Sequence, residues 1–166
     1  MTGEGVGVSK VKIGGILQND HLARISVMGV AGRLDTAAVL LQAFSQSGLN
    51  VQFIVQCIDQ REDDHIVLCV DRDDLDRALD VVGRVEAELG ARVVSHAPRV
   101  ASAGIFGPDF RERPGLAGTF FAALTASGVR VQAISTSVST CTVVIAADRL
   151  PDAVAAIQRV FELPLA

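Results

Sequence analysis

Histidine, cysteine and hydroxyl side chains are the groups of this chain that could perform covalent or metal chemistry. His21, His65 and His96 are far apart in sequence, and no HxxxH or CxxC spacing brings metal ligands together. The hydroxyls between residues 135 and 142 have no neighbouring base that would activate one of them as a nucleophile. The sequence therefore predicts no catalytic centre, no metal site and no cofactor, with the histidines on the surface.

Two glycine pairs and one acidic segment could be taken for phosphate or metal sites. The pair Gly14-Gly15 and the pair Gly29 and Gly32 lack the Lys-Ser/Thr step or the third glycine of phosphate-binding loops. We therefore interpret both pairs as plain turns. The acidic segment at residues 71–74 is typical of a helix start and is not interpreted as a metal site.

Two loops that lead into predicted helices could bind a small carboxylate. They comprise residues 31–35 and residues 111–115. A helix N-terminus presents unpaired backbone N–H groups and the positive end of the helix dipole, which suit the α-carboxylate of an amino acid. Pro114 and Gly115 would let a ligand approach closely, but the same dipeptide is also typical of an ordinary helix start.

The composition narrows the class of protein. The chain has 166 residues, of which 49% are apolar, and this is enough for a hydrophobic core. Because 19 acidic residues outnumber 15 basic ones and no basic run occurs, nucleic acid is not expected as a partner. No apolar stretch approaches the roughly 18 residues of a membrane span, and the first residues do not resemble a signal peptide. The three cysteines, Cys57, Cys69 and Cys141, lie in apolar, strand-like runs, which predicts buried free thiols. Because free thiols are typical of the cytoplasm, we expect a cytoplasmic protein without membrane contact.

An internal repeat organises the chain. Residues 43–54 match residues 123–134 without a gap, and the identities are Ala, Ser, Gly, Val, Gln and Ile. Each copy leads from an amphipathic helix, through a glycine that can adopt the left-handed conformation, into an alternating strand. The repeat indicates duplication of a helix-to-strand unit.

Apolar periodicity around the repeat predicts two α/β units. The first copy reads β-α-β-β-α-β, a ferredoxin-like unit at residues 23–98. The second copy is one strand short, and residues 11–17 form a strand that would otherwise leave an unpaired edge. We therefore predict a second unit made of residues 9–20 and 99–164, with the first unit inserted in it and a flexible N-terminus at residues 1–8. The predicted core faces of the two repeated helices are Leu34, Ala37, Ala38, Leu41 and Phe44 in the first unit and Leu116, Phe120, Phe121 and Leu124 in the second.

Several short segments of these units resemble those of a known family. They lie at residues 50–56, at Arg113-Pro114-Gly115, and at residues 118–124 and 134–137. This arrangement is similar to the tandem ACT region of aspartokinase, including its separately made regulatory (β) subunit. The resemblance implies an α+β fold of two ferredoxin-like βαββαβ ACT units, the first inserted in the second. It also implies a non-catalytic regulatory chain that binds an amino-acid effector of the lysine or threonine class for feedback control of aspartate-family amino-acid biosynthesis.

The resemblance also implies partners and site residues. The expected partners are the effector, a second copy of the chain in a homodimer, and a possible catalytic amino-acid kinase subunit. Asn50 and Gln56 are the expected polar contacts, although Asn50 could also cap a turn and Gln56 could also fill a sheet edge. The implied effector-binding residues are Met28, Gly29, Ala31, Gly32, Arg33, Leu34, Asp35, Asn50, Val51, Gln52, Ile54 and Gln56 in the first unit and Arg113, Pro114, Gly115, Leu116, Arg130, Val131, Gln132, Ile134, Ser135, Thr136 and Ser137 in the second.

Two departures from the family pattern leave an alternative open. The usual Pro-Asp-x-Pro-Gly loop is replaced by residues 31–35, in which Asp35 could supply the missing carboxylate or simply complement the helix dipole. The usual Thr-Ser-Glu-x-Arg run is replaced by the neutral residues 136–140. The alternative is a stand-alone ACT dimerisation or interaction module that binds a different small ligand or none.

Overall fold

A computed structural model describes residues 10–108 and 114–164. No helix in this part of the chain is long and apolar enough to cross a membrane. Single 3₁₀ turns precede the second and fourth helices. The elements are β1 (Val11–Lys12), β2 (Gly15–Ala31), α1 (Thr36–Gln46), β3 (Phe53–Ile58), β4 (Asp63–Asp71), α2 (Leu75–Leu89), β5 (Val93–Phe106), α3 (Leu116–Ala126), β6 (Ala133–Thr136), β7 (Thr140–Ala146), α4 (Leu150–Val160) and β8 (Phe161–Glu162).

One antiparallel sheet runs through both units in the order β3-β4-β2-β5-β7-β6. The N-terminal end of β2, from Gly15 to Asn19, pairs with Ser102 to Phe106, and its C-terminal end pairs with β4 and the start of β5. β1 pairs in parallel with β8. The architecture is therefore two ferredoxin-like βαββαβ units with the first inserted in the second, as predicted. The predicted boundaries between the units fall within β2 and β5, but each of these is one long strand that both units share.

The helix-covered face of the sheet carries two hydrophobic cores, one per unit. In the first unit, Leu40 and Phe44 of α1 pack with α2 over β2 and β4. In the second unit, Leu116, Phe120 and Leu124 of α3 pack with α4 over β5 and β7. The predicted core face of α1 was wrong in part, because Leu34 precedes the helix and is fully exposed, and Ala38 and Leu41 are also exposed. Helix α1 begins at Thr36, so the buried positions are Thr36, Leu40 and Phe44.

A third core cluster joins the two units on the opposite face of the sheet. Its members are buried, although none of the described helices contributes to the cluster. In β4, β5 and β7 they alternate along the strand with residues that face the helices, because successive side chains of a strand point to opposite faces. The outer strands β3 and β6 contact each other across this face, so the twisted sheet closes over the cluster. The members are Leu22, Phe53, Cys69, Val100 and Val144.

The repeated glutamines connect the units reciprocally. Gln52 of the first unit accepts a hydrogen bond from Asn19 Nδ2 at 2.8 Å, and Asn19 lies in the part of β2 that pairs with the second unit. Gln132 of the second unit accepts one from Arg24 Nη1 at 2.8 Å, and Arg24 lies in the part that pairs with the first unit. The sequence identity of these glutamines thus reflects inter-unit packing.

The repeat extends to how the helices end. Arg77 Nη2 donates to the carbonyl of Ser47 at 2.9 Å, just after α1, and Arg149 Nη2 donates to the carbonyl of Ser127 at 2.9 Å, just after α3. A cation at the last carbonyls satisfies their hydrogen-bonding capacity and opposes the negative end of the helix dipole. The two helices that carry the repeat are therefore terminated by the same device.

The N-terminal glycine pair has a packing role beyond a turn. A β-carbon on Gly14 would lie 2.8 Å from Cε2 of Phe106, and one on Gly15 would lie 2.7 Å from Cε1 of the same ring. Both separations are far shorter than a normal carbon–carbon contact. The glycines therefore let β2 approach Phe106 at the start of the shared sheet.

The cysteines divide into one exposed and two buried thiols. Cys57 on β3 is exposed, so the expectation of a buried thiol was wrong there, because the end of this edge strand is uncovered. Burial raises the pKa of Cys69 to about 12 and also raises the pKa of Cys141.

We expect one thiol of the native chain to react rapidly with Ellman's reagent near pH 8, and all three to react in urea. Only a thiolate attacks the reagent, and both burial and a raised pKa suppress that form at Cys69 and Cys141. The Cys57→Ser variant should lose the rapid phase. A second rapid thiol in native protein would contradict the burial described above.

Candidate functional site

A pocket of about 250 Å³ opens at the N-terminus of α3. It lies between the start of this helix and the β6–β7 hairpin, on the helix-covered side of the sheet. The described residues that line it are Pro114, Gly115, Leu116, Ala117, Thr136, Ser137, Thr140 and Cys141.

The helix side of this pocket presents backbone donors. Gly115 is the N-cap of α3 with φ of 98°, a left-handed conformation that glycine adopts without the strain of a side chain. Its carbonyl accepts from the N–H of Thr119 at 2.9 Å, so the intrahelical bonds begin there. The N–H groups of the first turn have no intrahelical partner, and no acidic residue lies in that turn. The positive end of the α3 dipole therefore faces the pocket.

The hairpin side contributes hydroxyl groups, held by a tight turn. The Ser137 N–H donates to the Thr140 carbonyl at 2.8 Å, and the Ser137 and Thr140 hydroxyl oxygens lie 2.7 Å apart. The Thr140 N–H also donates to Ser137 Oγ at 3.1 Å. Thr136, at the end of β6, is exposed at the mouth, and Cys141 is buried at the base. The turn fixes the hydroxyls in place, so the wall is preorganised for hydrogen bonding.

The chemistry of this pocket is polar and uncharged. None of its described lining side chains is ionisable at neutral pH, because burial keeps the Cys141 thiol protonated. Backbone N–H groups at a helix N-terminus bind carboxylates, and hydroxyls both donate and accept. The arrangement can hold a small carboxylate-bearing molecule but provides no general base among the described residues for catalysis.

The corresponding loop of the first unit is organised differently. Arg33 pairs with Asp35 through two contacts, Nε to Oδ1 at 2.9 Å and Nη2 to Oδ2 at 3.1 Å. This hydrogen-bonded pairing lowers the pKa of Asp35 and raises the pKa of Arg33. Asp35 is the N-cap residue of α1, yet its side chain makes no capping bond. The carboxylate that could have received an effector ammonium group is thus engaged by Arg33.

The predicted polar contacts Asn50 and Gln56 lie at opposite ends of α1. Gln56 Nε2 donates to Oδ1 of Asp64 at 2.7 Å, near the start of the helix. Asn50 and Val51 instead line a shallow groove of about 400 Å³ with Phe44 and Gly48, near its end. The structure therefore does not bring these two amides to one pocket.

Other predicted residues have separate surroundings. The Gly29 N–H donates to His65 Nδ1 at 3.3 Å, and Gln52 and Gln132 form the inter-unit bonds described above. Val131 packs against the second core, and Ile54 packs against the first. Arg113 lies outside the described residues. The remaining predicted residues are Met28 and Ser135, which are partly buried, and Ala31, Gly32, Arg130 and Ile134, which are exposed.

Sequence reasoning missed several groupings that depend on strand register. Asp64, Ala117, Thr140 and Cys141 were not among the predicted site residues, and Asp64 ends the charged run at residues 59–64, which gives no sequence signal of burial. His21 Nε2 lies 3.1 Å from Asp73 and 3.7 Å from Asp71, a grouping that could hold a metal ion. Asp71 also accepts from the backbone N–H of Asp73, as expected of an acidic helix start.

Comparison with known proteins relates this site to a family. Residues 104–161 match the family described as ACT domain. The aspartate kinase Ask_LysC of Stutzerimonas stutzeri is 32% identical over 151 residues, which cover 91% of this chain and 37% of that protein. The aspartokinase of Thermus thermophilus is 27% identical over 158 residues, covering 94% of this chain and 38% of that protein. The chain thus spans little more than a third of the curated relatives it matches.

Solved structures show the same architecture. The regulatory subunit of aspartate kinase from Thermus flavus has a TM-score of 0.83 at 25% identity, covering 91% of this chain and 99% of that one. A structure of aspartokinase alpha and beta subunits has a TM-score of 0.81 at 24% identity, covering 89% of this chain and 97% of the matched one. The chain therefore shares the architecture of the regulatory subunit of aspartate kinase from Thermus flavus and of the matched aspartokinase subunit.

Proposed function

From the premise that these residues form a tandem ACT regulatory region of the aspartokinase type, we propose that they bind a small amino-acid effector at the α3 pocket. Binding would control an aspartate kinase by feedback within aspartate-family amino-acid biosynthesis. The observation that carries the proposal is a pocket of about 250 Å³ whose described lining is uncharged, at the N-terminus of a helix with no acidic residue in its first turn. The chain itself acts as the regulatory, non-catalytic part of such an enzyme.

The pocket favours an effector of the threonine class over lysine. The α-carboxylate would lie at the first turn of α3, and a side-chain hydroxyl would reach the hydroxyls of Thr136, Ser137 or Thr140. A lysine side chain would bring a second ammonium group. No described lining residue carries a negative charge to pair with it, so its desolvation would go uncompensated.

A homodimer is part of the proposal. Helices α1 and α3 contain no charged residue, whereas α2 and α4 do. Helix α1 shares its core with Ile54 of the edge strand β3, and α3 shares its core with Val131 just before the edge strand β6. Ile58 and Ile134 on these strands are exposed at 66% and 43%. Unpaired strand edges flanked by uncharged helix faces are suited to pairing with a second copy around a twofold axis. Light scattering should give twice the chain mass.

A catalytic amino-acid kinase is the proposed partner. Support comes from the fold that this chain shares with the structure of aspartokinase alpha and beta subunits. We further propose units at residues 23–98 and at 9–20 with 99–164, and a cytoplasmic location, where free thiols remain reduced. The segment predicted at residues 1–8 lies outside the described residues. Co-purification with an amino-acid kinase chain would test the partnership.

One specific observation favours the second candidate, an interaction module without an effector. The neutral residues 136–140 replace the charged run typical of the family, and Ser137 and Thr140 already bond to each other. On this reading the hairpin serves only assembly. The two candidates differ in their response to amino acids.

We expect L-threonine to raise the melting temperature of the chain, and L-lysine to raise it less. At a ligand concentration one hundred times the dissociation constant, mass action predicts about 2.7 kcal/mol of stabilisation. For a chain of this size that corresponds to about 5–11 °C. Differential scanning fluorimetry with all twenty amino acids and with D-threonine measures this. A flat response to every amino acid would favour the interaction module.

A further inference from the structure

We infer that the first unit, like the α3 pocket, has a place beside a helix N-terminus where a carboxylate can bind. In the first unit the protein fills this place with the carboxylate of its own Asp64. The two units would then differ in a defined way, with an open site at the start of α3 and a self-occupied site at the start of α1. This inference deepens the proposed function, because it assigns the effector to one unit.

The internal repeat identifies the corresponding positions. The repeated segments differ by eighty residues in numbering, so Thr36 at the start of α1 corresponds to Leu116 at the start of α3, and Gln56 corresponds to Thr136. Gln56 pairs with Ile66 across the first hairpin, and Thr136 pairs with Cys141 across the second. Asp64, two residues before Ile66, therefore corresponds to Ser139.

The carboxylate of Asp64 accepts hydrogen bonds from the start of α1 and from strand β3. Thr36 Oγ1 donates to Oδ2 at 2.6 Å, and Gln56 Nε2 donates to Oδ1 at 2.7 Å. Asp64 is 2% exposed and Thr36 is 1% exposed, so no solvent-filled opening remains above the carboxylate. A buried carboxylate is costly unless it is hydrogen-bonded, and here both oxygens are.

The carboxylate also compensates the helix start. Helix α1 has no acidic residue in its first turn, and Asp35 is turned toward Arg33. Through Thr36, Asp64 brings a negative charge to the first residue of α1, where the helix dipole favours an anion. At α3 the corresponding first residue is apolar Leu116 and the hairpin residue is the exposed, neutral Ser139. Among the described residues, no side chain fills that position.

A difference in hairpin length explains how Asp64 reaches its position. In the first unit the connection between β3 and β4 contains Asp59, which accepts from the N–H groups of Arg61 and Asp63, and Glu62 adopts φ of 62°. This turn extends the ladder to the pair Ile58 and Asp64. The second hairpin turns directly after Thr136, so it has no equivalent extension. Gln56, a predicted effector contact, is thereby used within the protein.

Chemical rescue tests the inference without any effector. Asp64→Ala removes a carboxylate group and leaves a space the size of formate. We expect this variant to melt below wild type, and sodium formate to raise its melting temperature more than sodium chloride at equal ionic strength does. At ten times the dissociation constant of formate, mass action predicts a rise of about 3–6 °C for a chain of this size.

Two controls separate rescue from general salt effects. Asp64→Asn fills the space with an amide and should gain nothing from formate. Asp71→Ala removes an exposed capping carboxylate and should respond equally to both salts. If Asp64→Ala is recovered only unfolded, refolding yields with formate and with chloride are compared instead. Equal effects of the two salts on Asp64→Ala, in melting or refolding, would overturn the inference.

The outcome is distinguishable from failure of the proposed function. If formate rescues Asp64→Ala but no amino acid stabilises wild type, the self-occupied site stands and the effector proposal fails. If an amino acid binds wild type, calorimetry should give one site per chain. Two equivalent sites per chain would contradict a filled position in the first unit, whatever formate does.

Discussion

Leu22→Ala should lower the free energy of unfolding by about 2–5 kcal/mol, the range for deleting a buried leucine side chain. Leu22 is 1% exposed and lies in the cluster that joins the units. It packs there with Phe53 of the first unit and Val144 of the second. The cavity would therefore weaken contacts on both sides of the inter-unit core at once. Urea denaturation followed by circular dichroism measures the loss.

The matched control is Leu17→Ala in the same strand. Leu17 is 46% exposed, so removing its side chain leaves no cavity and should change stability by less than about 1 kcal/mol. If the units are coupled through the third cluster, Leu22→Ala should unfold in one transition at lower urea. Equal losses for the two variants would mean that this cluster contributes nothing to joining the units.

Ala117→Glu should weaken effector binding about a hundredfold while leaving the fold intact. Ala117 is exposed, lines the α3 pocket and lies in the first turn of the helix. Two negative charges about 5 Å apart at an effective dielectric constant near 20 repel each other by about 3 kcal/mol, or roughly two decades in affinity. The same glutamate complements the α3 dipole, so the free chain should be at least as stable as wild type. Melting shifts across an effector titration measure the change.

Ala38→Glu provides the control for this charge. Ala38 is exposed in the first turn of α1, one residue beyond the position that corresponds to Ala117, so the new glutamate also complements a helix dipole but does so in the first unit. Its effector response should match wild type. If both variants bind the effector as wild type does, the α3 pocket is not the effector site. If both lose binding equally, the effect is one of net charge.

Much of the fold was predictable because its signals are local. The repeat at residues 43–54 and 123–134 marks a helix, a glycine with positive φ and a strand in each unit, and Gly48 and Gly128 have φ of 65° and 68°. The apolar spacing of α3 also predicted its buried face. At α1, Leu34 fitted the same spacing but lies outside the helix, because periodicity alone does not show at which residue a helix begins.

The site was predictable only where chain neighbours form it. Pro114, Gly115 and Leu116 are consecutive, and they line the pocket together with Thr136 and Ser137 from the phrase that resembled the family. The pairing of β6 with β7 places Thr140 and Cys141 in the pocket, and no short sequence pattern reveals that pairing. Asn50 and Gln56 were predicted to contact one effector because of the family resemblance, whereas they lie at opposite ends of α1.

The sequence by itself determined the duplicated α/β units, the glycines that follow α1 and α3, and the absence of charge on those helices, because these depend on residues within a few positions of one another. Only the tertiary structure decided that β2 and β5 serve both units, that Gln52 and Gln132 bond across them, and that Asp64 lies buried against the first residue of α1. Those features depend on strand register and hairpin length, and a shift of one residue in register moves each side chain to the other face of the sheet.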